Sequence, residues 1–246
     1  MTDEVTRHYE SLLAPNYTWM FGVSFDAKVA EQRNLLERLL AADAPRAGLA
    51  VDLGSGPGYQ SIALADLGFS PVLALDLSKT LLEELDQHRG GRPIQPVCAD
   101  LRELASHVQP GHAQVVVCMG DTLTHLPGRD SVAQLFRDAR ATLVPGGLIV
   151  LTFRDLSVEL LGLERVIPVR SDPDRIMTCF LEFGPDTVTV HDLVHIRESA
   201  GWKLEKSSYK KLRLSPADVA SSLRESGFEV LRSEPAGRMH AIVARR

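Results

Sequence analysis

The stretch VDLGSGPGYQ, residues 51–60, sets three glycines between a short apolar run and a helix-forming segment. Glycine lets the backbone turn tightly and approach a ligand closely, because it carries no Cβ. Asp76 ends the next apolar run, 18 residues after Gly58, where a carboxylate would meet the two hydroxyls of a ribose. The pattern predicts an adenosine-type ligand at the turn that contains Gly54, Gly56 and Gly58.

Apolar runs alternate with amphipathic segments on both sides of this turn, which is typical of a parallel sheet covered by helices. The expected order is βαβαβαβαβ. The predicted strands cover residues 48–54, 71–77, 93–100, 113–120 and 148–153. The predicted helices cover residues 61–68, 78–88 and 131–143, with Ser78 as the N-cap of the second.

The pattern changes after Phe153. Strand-like alternation over residues 175–183, 187–198 and 202–214 predicts an antiparallel insert. A helix is expected over 215–227, with Ser215 as its N-cap and Gly227 at its end. A turn containing Ala236 and Gly237 joins the last two strands, 228–235 and 239–246, and is too short for the crossover of a parallel pair. We therefore expect a terminal antiparallel hairpin.

Composition narrows the class of protein. The chain has 246 residues, 44% of them hydrophobic, and a net charge of −5, so an ordinary globular fold is expected and nucleic acid is not an expected partner. The three cysteines have no CxxC spacing, and we expect reduced thiols. No apolar stretch is long enough for a membrane span and no signal peptide is recognisable, so the cytoplasm is the expected location.

The spacing of the glycines bears on which adenosine ligand is bound. A dinucleotide fingerprint reads GxGxxG, whereas this turn reads GxGxG with Tyr59 in the sixth position. Asp52 precedes the turn, where a carboxylate repels a diphosphate and can accept a hydrogen bond from a cationic amino group. These features favour S-adenosylmethionine. An NAD(P)-dependent Rossmann oxidoreductase is the alternative enzyme class.

These motifs resemble the class I S-adenosylmethionine-dependent methyltransferase family, over roughly residues 51–153 and again at the terminal hairpin. The resemblance rests on VDLGSGPG, ALDLS, CADL (98–101), VVCMGDTLTHL (116–126) and LVPGGLIVLTF (143–153). It implies an α/β fold with a Rossmann-like seven-stranded sheet, its last strand antiparallel, and an inserted antiparallel β cap. The cofactor-binding residues that we predict are Tyr17, Trp19, Asp52, Gly54, Gly56, Gly58, Asp76, Leu77, Asp100, Leu101, Met119 and Gly120.

The expected domains are a helical lid over residues 1–47, a cofactor domain over 48–153 and 215–246, and a substrate cap over 154–214. The lid is expected from the aromatic residues of HYESLLAPNYTWMFG, although a helix packed on the sheet for stability alone is an open alternative.

The acceptor site is expected at the carboxyl edge of the sheet, beneath the cap. His125 is the candidate general base, with packing as its alternative role. The substrate-binding candidates are Asp121, Arg154, Tyr209 and Arg213. His191 and His195 are four residues apart on a predicted strand, about 13 Å, which is too far to share one metal ion. No metal is expected.

The predicted function is methyl transfer from S-adenosylmethionine, with S-adenosylhomocysteine as product, to a small-molecule acceptor. N-methylation is favoured over O-methylation because the capped arrangement resembles small-molecule amine methylators. A non-catalytic S-adenosylmethionine-binding module is the second alternative, and a homodimer is left open.

Overall fold

The structure is a computed structural model that describes residues 3–40 and 46–246. The described residues form two separate β-sheets, one of seven strands and one of four. The strands are β1 Leu49–Leu53, β2 Val72–Asp76, β3 Ile94–Cys98, β4 Ala113–Cys118, β5 Leu143–Phe153, β6 Val166–Ser171, β7 Arg175–Phe183, β8 Thr187–Glu198, β9 Gly201–Leu212, β10 Glu229–Ala236 and β11 Met239–Arg245.

The seven-stranded sheet has the order β10-β11-β5-β4-β1-β2-β3. The five strands from β5 to β3 in this order run parallel, whereas β11 runs antiparallel to both β5 and β10. The predicted α/β fold with a reversed last strand is therefore confirmed. The order reverses between β1 and β4, and ligands of open α/β sheets bind beside such a reversal, at the carboxyl ends of the strands.

Helices cover both faces of this sheet. The α-helices are α1 Asp3–His8, α2 Tyr17–Met20, α3 Phe25–Leu40, α4 Tyr59–Asp66, α5 Lys79–His88, α6 Leu104–His107, α7 Arg129–Thr142 and α8 Pro216–Glu225. Side chains of α3 and α4 belong to one apolar core, and those of α7 and α8 belong to the core on the other face. Two predicted caps are present, because the Ser78 hydroxyl accepts from Leu81 N–H and Ser215 forms a capping box with Asp218.

The cap sheet has the order β6-β7-β8-β9 and is antiparallel throughout. Three of its strands match the sequence prediction closely. β6, with the sequence VIPVRS, was not predicted. It is an edge strand whose residues are only partly buried, and it contains Pro168, which is tolerated at such an edge. β9 packs against α1 and against the helical turn Thr122–His125, so the inner face of the cap lies over the end of β4.

Within the described residues, none of the helices combines the length and apolar character needed to cross a bilayer.

Phe136 tests the core beneath α7, since its side chain is fully buried there. We expect Phe136→Ala to lower the free energy of unfolding by about 3–5 kcal/mol, because it leaves a cavity that the neighbouring side chains cannot fill. Urea denaturation measures the change, with Val158→Ala, 70% exposed, as the control. A loss for Phe136→Ala as small as that of the control would contradict this account of the core.

Candidate active site

The glycine turn after β1 is closely packed against its neighbours. Gly54 and Gly58 have φ of +71° and +91°, a region that L side chains rarely adopt. A Cβ on Gly54 would lie 2.3 Å from Thr122 Cγ2, and one on Gly58 would lie 2.1 Å from Leu85 Cδ1. Gly56 differs, because a Cβ there would face the Tyr17 ring at 3.8 Å. Two glycines thus let the turn pack closely, and the third faces a pocket.

Asp76 connects this turn to the end of β2. Its carboxylate accepts from Gly56 N–H and from Ser78 N–H, each at 2.8 Å. Burial raises the pKa of Asp76, although these hydrogen bonds oppose the shift. A carboxylate has about four acceptor positions, so Asp76 keeps the capacity to accept from a ligand. The same pocket is lined by Val5, Thr6, Tyr9, Tyr17, Gly54, Gly56, Asp76, Leu77, Ser78, Leu81, Thr122 and His125.

A larger cavity of about 640 Å³ lies beside this pocket, and the two share Tyr9, Tyr17 and Gly54 in their walls. The larger cavity brings together the ends of β4 and β5, the N-terminal segment and the inner face of the cap. Met119 and Gly120, predicted to bind cofactor, line it, as do the predicted substrate residues Asp121, Arg154 and Tyr209.

Asp121 is the polar centre of this cavity. It is buried and has φ of +79°, a conformation uncommon for a residue other than glycine and found at functional sites. Its carboxylate accepts from Lys211 Nζ at 2.5 Å and Arg154 N–H at 3.0 Å. Burial alone would raise the pKa of Asp121, but Lys211 and Arg154 outweigh it and hold that pKa below its ordinary value. Asp121 is therefore an ionised partner of two cations.

His125 is buried and lines the smaller pocket. Its Nε2 is 3.1 Å from Tyr9 Oη, and its ring stacks on that of Tyr209 with centroids 5.2 Å apart. Burial, reinforced by Lys211, lowers the pKa of His125 to about 3. A base with that pKa takes up a proton only weakly near neutrality. The position of His125 thus favours a role as a neutral ring that orients Tyr9, rather than the predicted role as general base.

The predicted cofactor residues Asp52, Asp100 and Leu101 line neither cavity. Asp52 is 1% exposed and accepts from the Ser61 hydroxyl at 2.6 Å. Asp100 caps the helical turn that follows it, and accepts from Arg102 N–H at 2.9 Å and from its guanidinium at 2.7 Å. Leu101 is buried in the core. Asp52 was expected to accept a hydrogen bond from the amino group of a ligand, but its side chain is enclosed beneath the turn.

Trp19 and Arg213 also differ from their expected positions. Trp19 Nε1–H donates to Asp172 at 2.5 Å, and the Arg170 and Arg175 guanidinium groups lie over its ring at 5.1 and 5.0 Å. This indole therefore joins the N-terminal segment to the cap. Arg213 donates to the carbonyls of Leu156, Ser157 and Gly184, so it holds two loops together.

Three buried residues were not predicted from the sequence, namely Lys211, His8 and Asp192. His8 Nε2 lies 3.0 Å from Asp192, and both side chains are buried. One signal was available, because Asp192 occupies an inward position on β8 between Val190 and Val194, where alternation predicts an apolar residue. The interaction with His8 joins residues 184 positions apart, which no local pattern can indicate.

Comparison with known proteins agrees with this geometry. Residues 50–147 match the family model described as a methyltransferase domain. The cypemycin N-terminal methyltransferase of a Streptomyces species is 30% identical over 168 residues, which are 62% of this chain and 65% of that protein. The chain spans about half to two thirds of the length of the curated relatives that it matches.

Solved structures share the whole fold. The CcbJ methyltransferase from Streptomyces caelestis superposes with a TM-score of 0.78 at 24% identity, over 99% of each chain. CalS10 from Micromonospora echinaspora, an amino pentose methyltransferase solved with S-adenosylmethionine bound, has a TM-score of 0.73 at 19% identity, over 93% of this chain and 94% of that one. The sheet order and the glycine turn define a class I methyltransferase fold. Residues 50–147 thus match a methyltransferase domain, and the chain as a whole has the fold of the solved methyltransferases.

Asp52 should make stability depend on pH. Burial raises its pKa to about 7, far above the value of about 3.9 for an unfolded chain. The folded state therefore retains a proton that the unfolded state releases, and this contribution to stability is lost as the pH rises from about 4 to about 7.

Asp52→Asn removes this dependence and keeps an acceptor for the Ser61 hydroxyl. Between pH 5 and pH 8, the free energy of unfolding of the parent should therefore fall by about 2–3 kcal/mol relative to that of the variant. Urea denaturation of both proteins at the two pH values measures this difference. If the stabilities of parent and variant change equally with pH, Asp52 is already ionised in the folded protein at pH 5.

Proposed function

We propose that this chain transfers a methyl group from S-adenosylmethionine to a small-molecule acceptor, with nitrogen as the favoured methylated atom. The observation that carries the proposal is the pocket where Gly56 and the Asp76 carboxylate meet, directly beside a cavity large enough for an acceptor. The relatives named as methyltransferases support the same reaction class.

The residues of the pocket fit the cofactor. Gly56 presents backbone without a side chain, and the unused acceptor positions of Asp76 suit the two ribose hydroxyls. The buried Ser55 hydroxyl has no hydrogen-bond partner among the described residues, which leaves a polar group within the turn for a ligand. Tyr17 lines both cavities and is placed to contact the cofactor where it faces the acceptor.

S-adenosylmethionine supplies an electrophilic methyl group on a positively charged sulfur. The protein's part is to align the acceptor with that group and to exclude water. We infer that the N-terminal segment serves as the lid, since Tyr9 and Tyr17 cover both cavities, and that the insert within residues 154–214 serves as the acceptor-binding cap.

Nitrogen is favoured over oxygen on a specific ground. A neutral amine carries a reactive lone pair, whereas a hydroxyl needs a base to remove its proton. The low pKa of His125 and the pairing of Asp121 with Lys211 make both side chains poor bases. The names of the relatives agree, since they include an N-terminal methyltransferase and a glycine/sarcosine N-methyltransferase.

Ligand-induced stabilisation tests the reaction class. We expect S-adenosylhomocysteine, at 100 times its Kd, to raise the free energy of unfolding by about 2.7 kcal/mol, with no comparable effect of NADH. Transfer of label from methyl-labelled S-adenosylmethionine to a mixture of small metabolites is the second measurement. Stabilisation by NADH alone would support an oxidoreductase, and cofactor binding with no labelled product would support a non-catalytic binding module.

Asp76→Asn tests the ribose contact. The substitution keeps the size of the side chain but replaces one acceptor oxygen and removes the charge, so we expect S-adenosylhomocysteine to bind about 10- to 100-fold more weakly. Calorimetric titration measures the affinity. Asp86→Asn, on the exposed side of the adjacent helix α5, is the matched control. Equal affinities for the two variants would exclude a ribose contact at Asp76.

A further inference from the structure

Asp192 is a buried carboxylate in an apolar row of the cap sheet. Val188, Val190 and Val194 share its face of β8, and the exposed fractions of all four side chains are 5% or less. A charge at such a position costs free energy unless hydrogen bonds or an opposite charge compensate it. The strand gains nothing in packing from this carboxylate, which points to a role in binding.

The donors around Asp192 leave part of the carboxylate unused. His8 Nε2 lies 3.0 Å from Oδ2, and Cys179 Sγ donates to Oδ1 at 2.6 Å. Since a carboxylate has about four acceptor positions, at least one oxygen lone pair remains, and Asp192 lines the 640 Å³ cavity. His8 Nδ1 is also buried without a partner among the described residues.

Two of the cations that line the cavity are paired with Asp121. Lys211 Nζ and the Arg154 side chain both lie against Asp121, at 2.5 and 3.4 Å. The wall of this cavity also includes the apolar residues Leu156, Ile167, Val169, Met177, Leu181 and Val190, together with Tyr209 and Lys211. The corner at Asp192 therefore has surplus acceptors and a negative charge within an apolar surface. A complementary ligand is an amine on an apolar body, since its N–H groups can donate to these acceptors while the nitrogen keeps its lone pair.

We propose that Asp192 binds an amino group of the acceptor and thereby selects amine-bearing acceptors, while His8 positions the carboxylate from the N-terminal segment. This proposal rests on the proposed function and deepens it, because it assigns the selecting residue and the class of acceptor. It also explains why His8 contacts Asp192, because the amine site is complete only when the segment containing α1 lies against the cap.

The test uses phenethylamine and its alcohol isostere, 2-phenylethanol, titrated by NMR into the protein saturated with S-adenosylhomocysteine. We expect the amine to bind at least about tenfold more tightly than the alcohol. Asp192→Asn should weaken binding of the amine about 10- to 100-fold and leave binding of the alcohol unchanged. Equal binding of the two probes to the parent, or an unchanged amine affinity in the variant, overturns the proposal.

The outer face of the cap provides a matched control. Glu182 and His191 form an exposed carboxylate and imidazole pair across β7 and β8, on the face opposite Asp192. Glu182→Gln should leave the affinities for both probes unchanged, and a loss equal to that of Asp192→Asn would refute a specific role for Asp192. The preference of the parent protein for the amine is measured without any variant, so its absence overturns the proposal even if Asp192→Asn fails to fold.

The binding of S-adenosylhomocysteine is measured first and separates the two proposals. If it does not bind, the proposed function fails, and the same titrations on the free protein still determine whether Asp192 selects amines. If it binds and the amine preference is absent, the methyltransferase assignment stands and the role of Asp192 is refuted.

Discussion

The hydrogen bond from Gly56 N–H to the Asp76 carboxylate is the constraint on which the site depends. It connects the turn after β1 to the end of β2, so that a bare backbone surface and a carboxylate face the same small pocket. The close approach of Gly54 to Thr122 sets the turn against the loop after β4 as well. Three strand ends therefore meet at one point, and the small pocket lies next to the 640 Å³ cavity as a result.

Buried charges then connect the parts of the chain that enclose the cavity. Lys211, at the end of β9, reaches Asp121 at the end of β4, and His8 of α1 reaches Asp192 of β8. Buried ion pairs are weak sources of stability, because desolvation offsets most of their attraction. Their positions matter more, since each contact is possible only when the cap, the sheet edge and the N-terminal segment are in place together.

The sequence predicted the fold well because its determinants are local. Buried parallel strands appear as continuous apolar runs, and the terminal hairpin follows from a turn too short for a crossover. β6 was missed because its partly exposed edge position leaves no clear alternation. Asp76 lines a small pocket at the carboxyl edge of the sheet, because the strand ends of a parallel sheet face one edge.

Residues whose roles depend on distant partners were harder to predict. Asp52 is close to the turn in sequence, but its side chain points into the interior and meets Ser61. Trp19 belongs to an aromatic segment suited to a cofactor, yet Asp172 and two arginines of the cap hold it. Lys211 resembles any basic residue of a polar strand, and only the packing of β9 against the end of β4 shows that it is buried beside Asp121.

The reversed strand has a consequence for how the sheet is completed. β11 follows every other strand in the chain, yet it lies between β5 and β10 rather than at an edge. While the chain is being synthesised, β5 presents an unpaired edge with apolar residues on both faces, the kind of surface at which intermolecular strand pairing begins. The described core therefore closes late, and a nascent chain that pauses before Met239 has one edge of β5 exposed to pairing with other chains.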